Sequence, residues 1–124
     1  MAKANVVIVH ESPQSVGKIV QYLQANGYEM FQAETLHAVF HIAQSSKPDV
    51  IVVPGNLHKL DGFQMCEELR SEIDTCYANI VMLVETVDAQ VRKRAKEVGV
   101  NEVLLKTVDG PTLMKHIEAL VNPA

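Results

Sequence analysis

The sequence has no tryptophan, 5% aromatic residues and two cysteines among 124 residues. Scarce aromatics argue against a surface on which nucleic-acid bases stack. Cys66 and Cys76 stand ten residues apart with no Cys-x-x-Cys unit, so neither a zinc framework nor a disulfide-stapled scaffold is supported and reduced thiols are expected. Positive charge is also short: Lys+Arg 11 against Asp+Glu 15 gives a net charge of -4, which disfavours a polyanionic ligand such as nucleic acid. Apolar runs such as Val6–Val9 and Val50–Val53 fall far below the ~20 residues needed to cross a bilayer. Met1-Ala2-Lys3-Ala4 leads directly into a strand-like run without the pattern of a secretory signal, so a soluble cytoplasmic protein is expected, with no membrane partner.

What is present points to one core. A 48% hydrophobic fraction in 124 residues suits a single domain spanning 1–124. Short β-branched runs at Val6–Val9, Val50–Val53, Ile80–Val84 and Val103–Leu105 read as strands, apolar on consecutive residues because helices cover both sheet faces. Tyr28–Ala33 mixes in polar residues and reads as an edge strand. Between these runs, Val16, Ile19, Val20 and Leu23 repeat at helical spacing. Ser12-Pro13 supplies an N-cap and a first-turn proline for that helix, and Asn26-Gly27 a left-handed stop. Further helices are expected over Thr35–Gln44, Gly62–Ser71, Asp88–Val98 and Gly110–Val121.

Five βα units with right-handed crossovers predict an α/β fold: an open, doubly wound, parallel five-stranded sheet of flavodoxin-like topology, order 2-1-3-4-5. Ligands bind such sheets beyond the carboxyl ends of the strands. There the sequence delivers His10 and Glu11 after strand 1, Pro54, Gly55 and Asn56 after strand 3, Val84 and Glu85 after strand 4, and Lys106 after strand 5. The turn His10–Ser15 contains neither G-x-G-x-x-G nor a Walker loop, and Pro13 removes an N–H that a flavin phosphate would want. No cofactor is expected.

The Pro48-Asp49 lead into strand 3, the Asp61-Gly62 pair, the Asn26-Gly27-Tyr28 turn, the Val98-Gly99-Val100 helix exit and Leu105-Lys106 together resemble a response-regulator receiver domain over essentially the whole chain. The resemblance implies a two-component or phosphorelay module. In that family an aspartate ending strand 3 carries a phosphoryl group, an acidic pair after strand 1 holds Mg²⁺, and a strand-4 hydroxyl, a strand-5 aromatic and a lysine complete the switch. In this chain the phospho-accepting position falls on Pro54, the acidic pair on His10 and Glu11, the hydroxyl position on Val84 and the aromatic position on Val103. Lys106 and Glu11 alone resemble the working set. Proline offers no carboxylate nucleophile, and one carboxylate of three makes a poor Mg²⁺ site, so no metal is expected. The resemblance therefore implies a degenerate pseudo-receiver. Thr107 follows the lysine where the family usually has proline in a cis peptide, and a trans bond is expected here.

Each notable side chain also has a plainer reading. Lys106 is read as a partly buried lysine paired with Glu11 or Glu85, and His10 as a histidine hydrogen-bonded in place. His37 and His41, at i and i+4, read as a surface coincidence without a third ligand. His58 reaches the same end of the sheet and could join His10 and Glu11 only if the fold converges them. Met65, Met82 and Met114 read as core. Arg92, Lys93, Arg94 and Lys96 form a basic stretch on the fourth helix over a buried stripe of Val91, Ala95 and Val98. That stretch reads either as a solvated face or as a docking handle.

The expectation is a non-enzymatic signalling module, monomeric or a weak homodimer, acting by phosphorylation-independent protein–protein interaction. The partner face would be helix 4, strand 5 and helix 5, with Arg92, Arg94 and Lys96. The alternative is a ligand- or metal-sensing domain that uses the vacated pocket.

Overall fold

Every strand of the sheet but the two outermost is buried on both sides, and the reason is visible in the residues. In a computed structural model, described over residues 3–56 and 61–122, the chain runs β1 (Asn5–Val9), α1 (Pro13–Ala25), β2 (Glu29–Ala33), α2 (Leu36–Ser45), β3 (Val50–Pro54), α3 (Gly62–Ser71), β4 (Asn79–Val84), α4 (Ala89–Glu97), β5 (Glu102–Leu105) and α5 (Gly110–Val121). All pairings are parallel and the order is β2-β1-β3-β4-β5, as the βα spacing predicts. Val6, Ile8, Val50 and Val52 face one core with α1 and α5, where Leu23, Leu113 and Ile117 are buried. Val7, Val9, Ile51 and Val53 face a second core with α2, α3 and α4. The period-2 alternation of each strand thus feeds two layers, which is why β1 and β3 are apolar throughout.

Local signals set the helix ends. Thr35, Asp61, Asp88 and Asp109 each accept a backbone N–H of the first turn, from Ala38, Phe63, Val91 and Thr112, the usual capping bond. The helices expected from Thr35 and Asp88 therefore begin one residue later, with those residues as caps. Ser12 occupies the N-cap of α1 but its side chain makes no capping bond. Its hydroxyl turns to Gln14 Oε1 at 3.3 Å, which corrects the expected role. At the other end Gly27 adopts φ +92°, and Gly27 N–H and Tyr28 N–H donate to the Gln24 and Leu23 carbonyls. This closed C-terminal motif is the stop expected from Asn26-Gly27, and it leaves Tyr28 buried ahead of β2. Gly99, at φ +85°, ends α4 in the same way.

Met65 and Met82 are core residues and Met114 packs at its edge. Both cysteines are free, and burial pushes the Cys66 thiol up to about 12, so it stays protonated across the ordinary pH range.

Candidate functional site at the carboxyl end of the sheet

The β1–β3 ladder stops at Ile8↔Val52, whereas β3–β4 continues to Pro54↔Leu83. Pro54 has no N–H to extend the first ladder, so the strand ends separate on that side. Gly55 N–H still reaches the Leu83 carbonyl at 2.8 Å. Two glycines let the following turn fold back tightly: a Cβ on Gly55 would lie 2.9 Å from Val84 Cγ1, and a Cβ on Gly62 would collide with the Pro54 carbonyl oxygen.

Two cavities flank this ridge. One, about 320 Å³, runs toward α4 past Phe63, Val84 and Thr86. The other, about 300 Å³, runs toward α1 past His10, Glu11 and Ser15. Pro54, Asn56, Leu83 and Lys106 border both. The fold therefore brings His10, Glu11, Pro54, Val84 and Lys106 to one rim, as the topology requires. Thr86, exposed and lining the larger cavity, has no signal in the sequence beyond its place after β4.

Two of the plainer readings need correction. His10 is 3% exposed, and its Nδ1 has no hydrogen-bond partner, so it is not a satisfied core histidine. Lys106 does pair with Glu85 as expected, Nζ to Oε1 at 3.9 Å, but the pair is exposed and not partly buried, with side chains 67% and 76% exposed, and is worth little. Lys106 is held through its backbone, whose N–H donates to the Val84 carbonyl at 2.6 Å. The bond to Thr107 is trans, as expected.

Val103 packs against the α2–α3–α4 core. On α4, Ala95 and Val98 are buried with Val91 beside them, and Arg92, Arg94 and Lys96 are exposed. Arg94 is nonetheless engaged within the chain, at 3.0 Å from Asp61 Oδ2 and 4.3 Å from the Phe63 ring centroid. Asp61 thus caps α3 with one oxygen and holds α4 with the other. His37 and His41 are exposed on α2, and His58 lies outside the described residues. No group of three or more His, Cys, Asp or Glu that could hold a metal occurs among the described residues.

A family model described as the response regulator receiver domain matches residues 6–118. The chain is 32% identical over 119 residues to "Protein PilH" of Pseudomonas aeruginosa, covering 95% of this chain and 98% of that one. It is also 25% identical to the Bacillus subtilis "Alkaline phosphatase synthesis transcriptional regulatory protein PhoP", of which it spans about half (48%) while 94% of this chain is covered. Among solved structures, "Chemotaxis response regulator CheY4" of Vibrio cholerae superposes with a TM-score of 0.85 at 26% identity, covering 94% of this chain and 98% of that one. The protein is thus a five-unit α/β module with its candidate site at the carboxyl rim. It belongs to the receiver-domain family of two-component signalling.

The Mg²⁺ that this family implies does not fit the residues present. Magnesium demands hard oxygen ligands in near-octahedral array, and of the three positions where the family has carboxylates only Glu11 keeps one, with a buried imidazole at residue 10 and a proline at residue 54. No helix among the described residues is long and apolar enough to cross a membrane.

Proposed function

We propose that this receiver domain is degenerate and signals by phosphorylation-independent binding to a protein partner. The observation that carries the reading is Pro54 at the end of β3, where the family's acceptor carboxylate would stand. The side chain of a peptide-bonded proline carries only CH₂ groups, and its ring nitrogen is an amide, so it offers no nucleophile to phosphorus. Val84 and Val103 offer no hydroxyl or aromatic switch in support. The domain is not a phosphoryl-transfer catalyst, and it works in the cytoplasm as one unit over 1–124.

The partner face runs along α4, β5 and α5. Arg92 and Lys96 border a shallow recess with Glu102 and Val103, and a basic patch on an acidic chain gives an approaching partner an electrostatic lead. The test is affinity capture with cross-linking, run with and without a small phosphodonor and Mg²⁺. The expected result is the same partner recovered in both conditions, and reduced recovery with Arg92→Glu/Lys96→Glu. Capture that requires the phosphodonor would refute the reading.

A further inference from the structure

Of the large apolar side chains that the fold leaves in solvent, two belong to one short connection. Ile73 is 82% exposed and Tyr77 93% exposed, both between α3 and β4. The turn that carries them is well tied. Thr75 N–H and Cys76 N–H donate to the Glu72 carbonyl, Ala78 N–H donates to the Thr75 carbonyl, and the buried Thr75 hydroxyl donates to the Leu69 carbonyl. Arg70 donates to the Cys76 and Ala78 carbonyls, on either side of Tyr77, and also reaches Asn101. An aromatic and an aliphatic side chain held out on an ordered turn have the character of interface anchors, because little backbone freedom remains to be lost on docking. Glu72 and Asp74 flank Ile73, so this knob is acidic as well as apolar.

A surface of opposite character lies close by. The recess between α4 and β5, about 220 Å³, is lined by Arg92 and Lys96 together with Ala95, Val100, Asn101 and Val103. Glu72, Asp74, Arg92 and Lys96 form no ion pair with any described residue. A cationic rim suits the face of a phenol ring, and the acids of the knob suit the basic strip of α4. Asn101 lines the recess and accepts from the same Arg70 that fixes the turn around Tyr77, so knob and recess share one corner of the molecule. A two-fold axis beside that corner seats each knob in the other copy's recess, the self-complementary arrangement of a symmetric dimer. We propose that this corner is a self-association surface, in which Tyr77 enters the α4–β5 recess of a second copy of the chain while Glu72 and Asp74 face its Arg92, Lys93 and Lys96. The patch is small, so the dimer is weak and reversible. Pairing needs neither a partner protein nor a phosphoryl group, so it stands or falls separately from the partner-binding function.

Sedimentation equilibrium of the full chain alone, in buffer free of Mg²⁺ and phosphodonor, reads the association directly. The expected result is a monomer–dimer equilibrium at chain concentrations up to about 1 mM, as suits a small interface. It weakens severalfold as ionic strength rises from about 0.1 M to about 1 M. Tyr77→Ala weakens dimerisation about tenfold or more. Glu72→Lys/Asp74→Lys and Arg92→Glu/Lys96→Glu each abolish it alone, and an equimolar mixture of these two variants dimerises again, because each supplies the charge that the other has lost. Unchanged far-UV circular dichroism establishes that each variant folds. A monomer at every concentration, a dimer undiminished by Tyr77→Ala, growth past the dimer, or a mixture of the charge variants that stays monomeric overturns the proposal.

Discussion

At the amino end of the sheet, the Arg70 guanidinium donates to the carbonyls of Gly99, Cys76 and Ala78 and to Asn101 Oδ1, at 2.6–3.0 Å. Asn101 Oδ1 accepts in turn from Ile80 N–H at 2.7 Å, and Asp49 Oδ2 accepts from Asn5 N–H, also at 2.7 Å. Buried Thr75 donates to the Leu69 carbonyl at 2.6 Å. At the carboxyl end, His10 Nδ1 has no partner, Lys106 reaches its nearest carboxylate at 3.9 Å, and two cavities open beside Pro54. One end satisfies its polar groups from within the chain and holds the strands in register. The other keeps polar capacity unspent, at a cost in stability, where ligands meet such sheets.

The largest effect is expected at the satisfied end. Arg70→Ala strands several carbonyls at once and should lower unfolding free energy by about 3–4 kcal/mol, read as a shift in urea midpoint at constant slope. Arg70→Lys should recover little of it, because a single ammonium lacks the planar fork of donors. A loss near 0.5 kcal/mol would erase the contrast.

Beneath the open rim the backbone is as strict as at the opposite end. Gly62→Ala drives a methyl into the Pro54 carbonyl and should cost about 2–3 kcal/mol. A neutral outcome by thermal melting would mean that the turn after β3 yields easily. His10→Leu should move the other way, raising stability by about 1 kcal/mol, since an apolar side chain removes the unpaired nitrogen. Destabilisation of similar size would mean that the imidazole has a partner in solution. Lys106→Ala should change stability by less than about 0.5 kcal/mol, the ceiling expected for an exposed pair, by the same denaturant curves.

Much of this fold was legible from periodicity and punctuation. Consecutive valines and isoleucines identified the buried strands, and Asn26-Gly27 and Val98-Gly99 marked helix ends through local chemistry, whereas Asp88 read as the first residue of its helix and is its cap, and the Asp109 cap went unread. The Arg70 network was not legible, because its acceptors come from the α3–β4 and α4–β5 connections, up to 31 residues away. Lys106 read as partly buried, yet β5 is an outer strand whose last residue, Leu105, is exposed, as is Lys106 after it. Ser12 occupies the expected position without the expected bond, since its hydroxyl has a local alternative in Gln14. At the candidate site, topology placed the residues correctly. Whether each found a partner depended on side-chain packing that no spacing encodes.

With Pro54 at its end, β3 is expected to accept no phosphoryl group. Intact-mass spectrometry of the full chain after incubation with acetyl phosphate and Mg²⁺ tests it directly. An unchanged mass is expected. A hydroxylamine-labile gain of one phosphoryl group would contradict it.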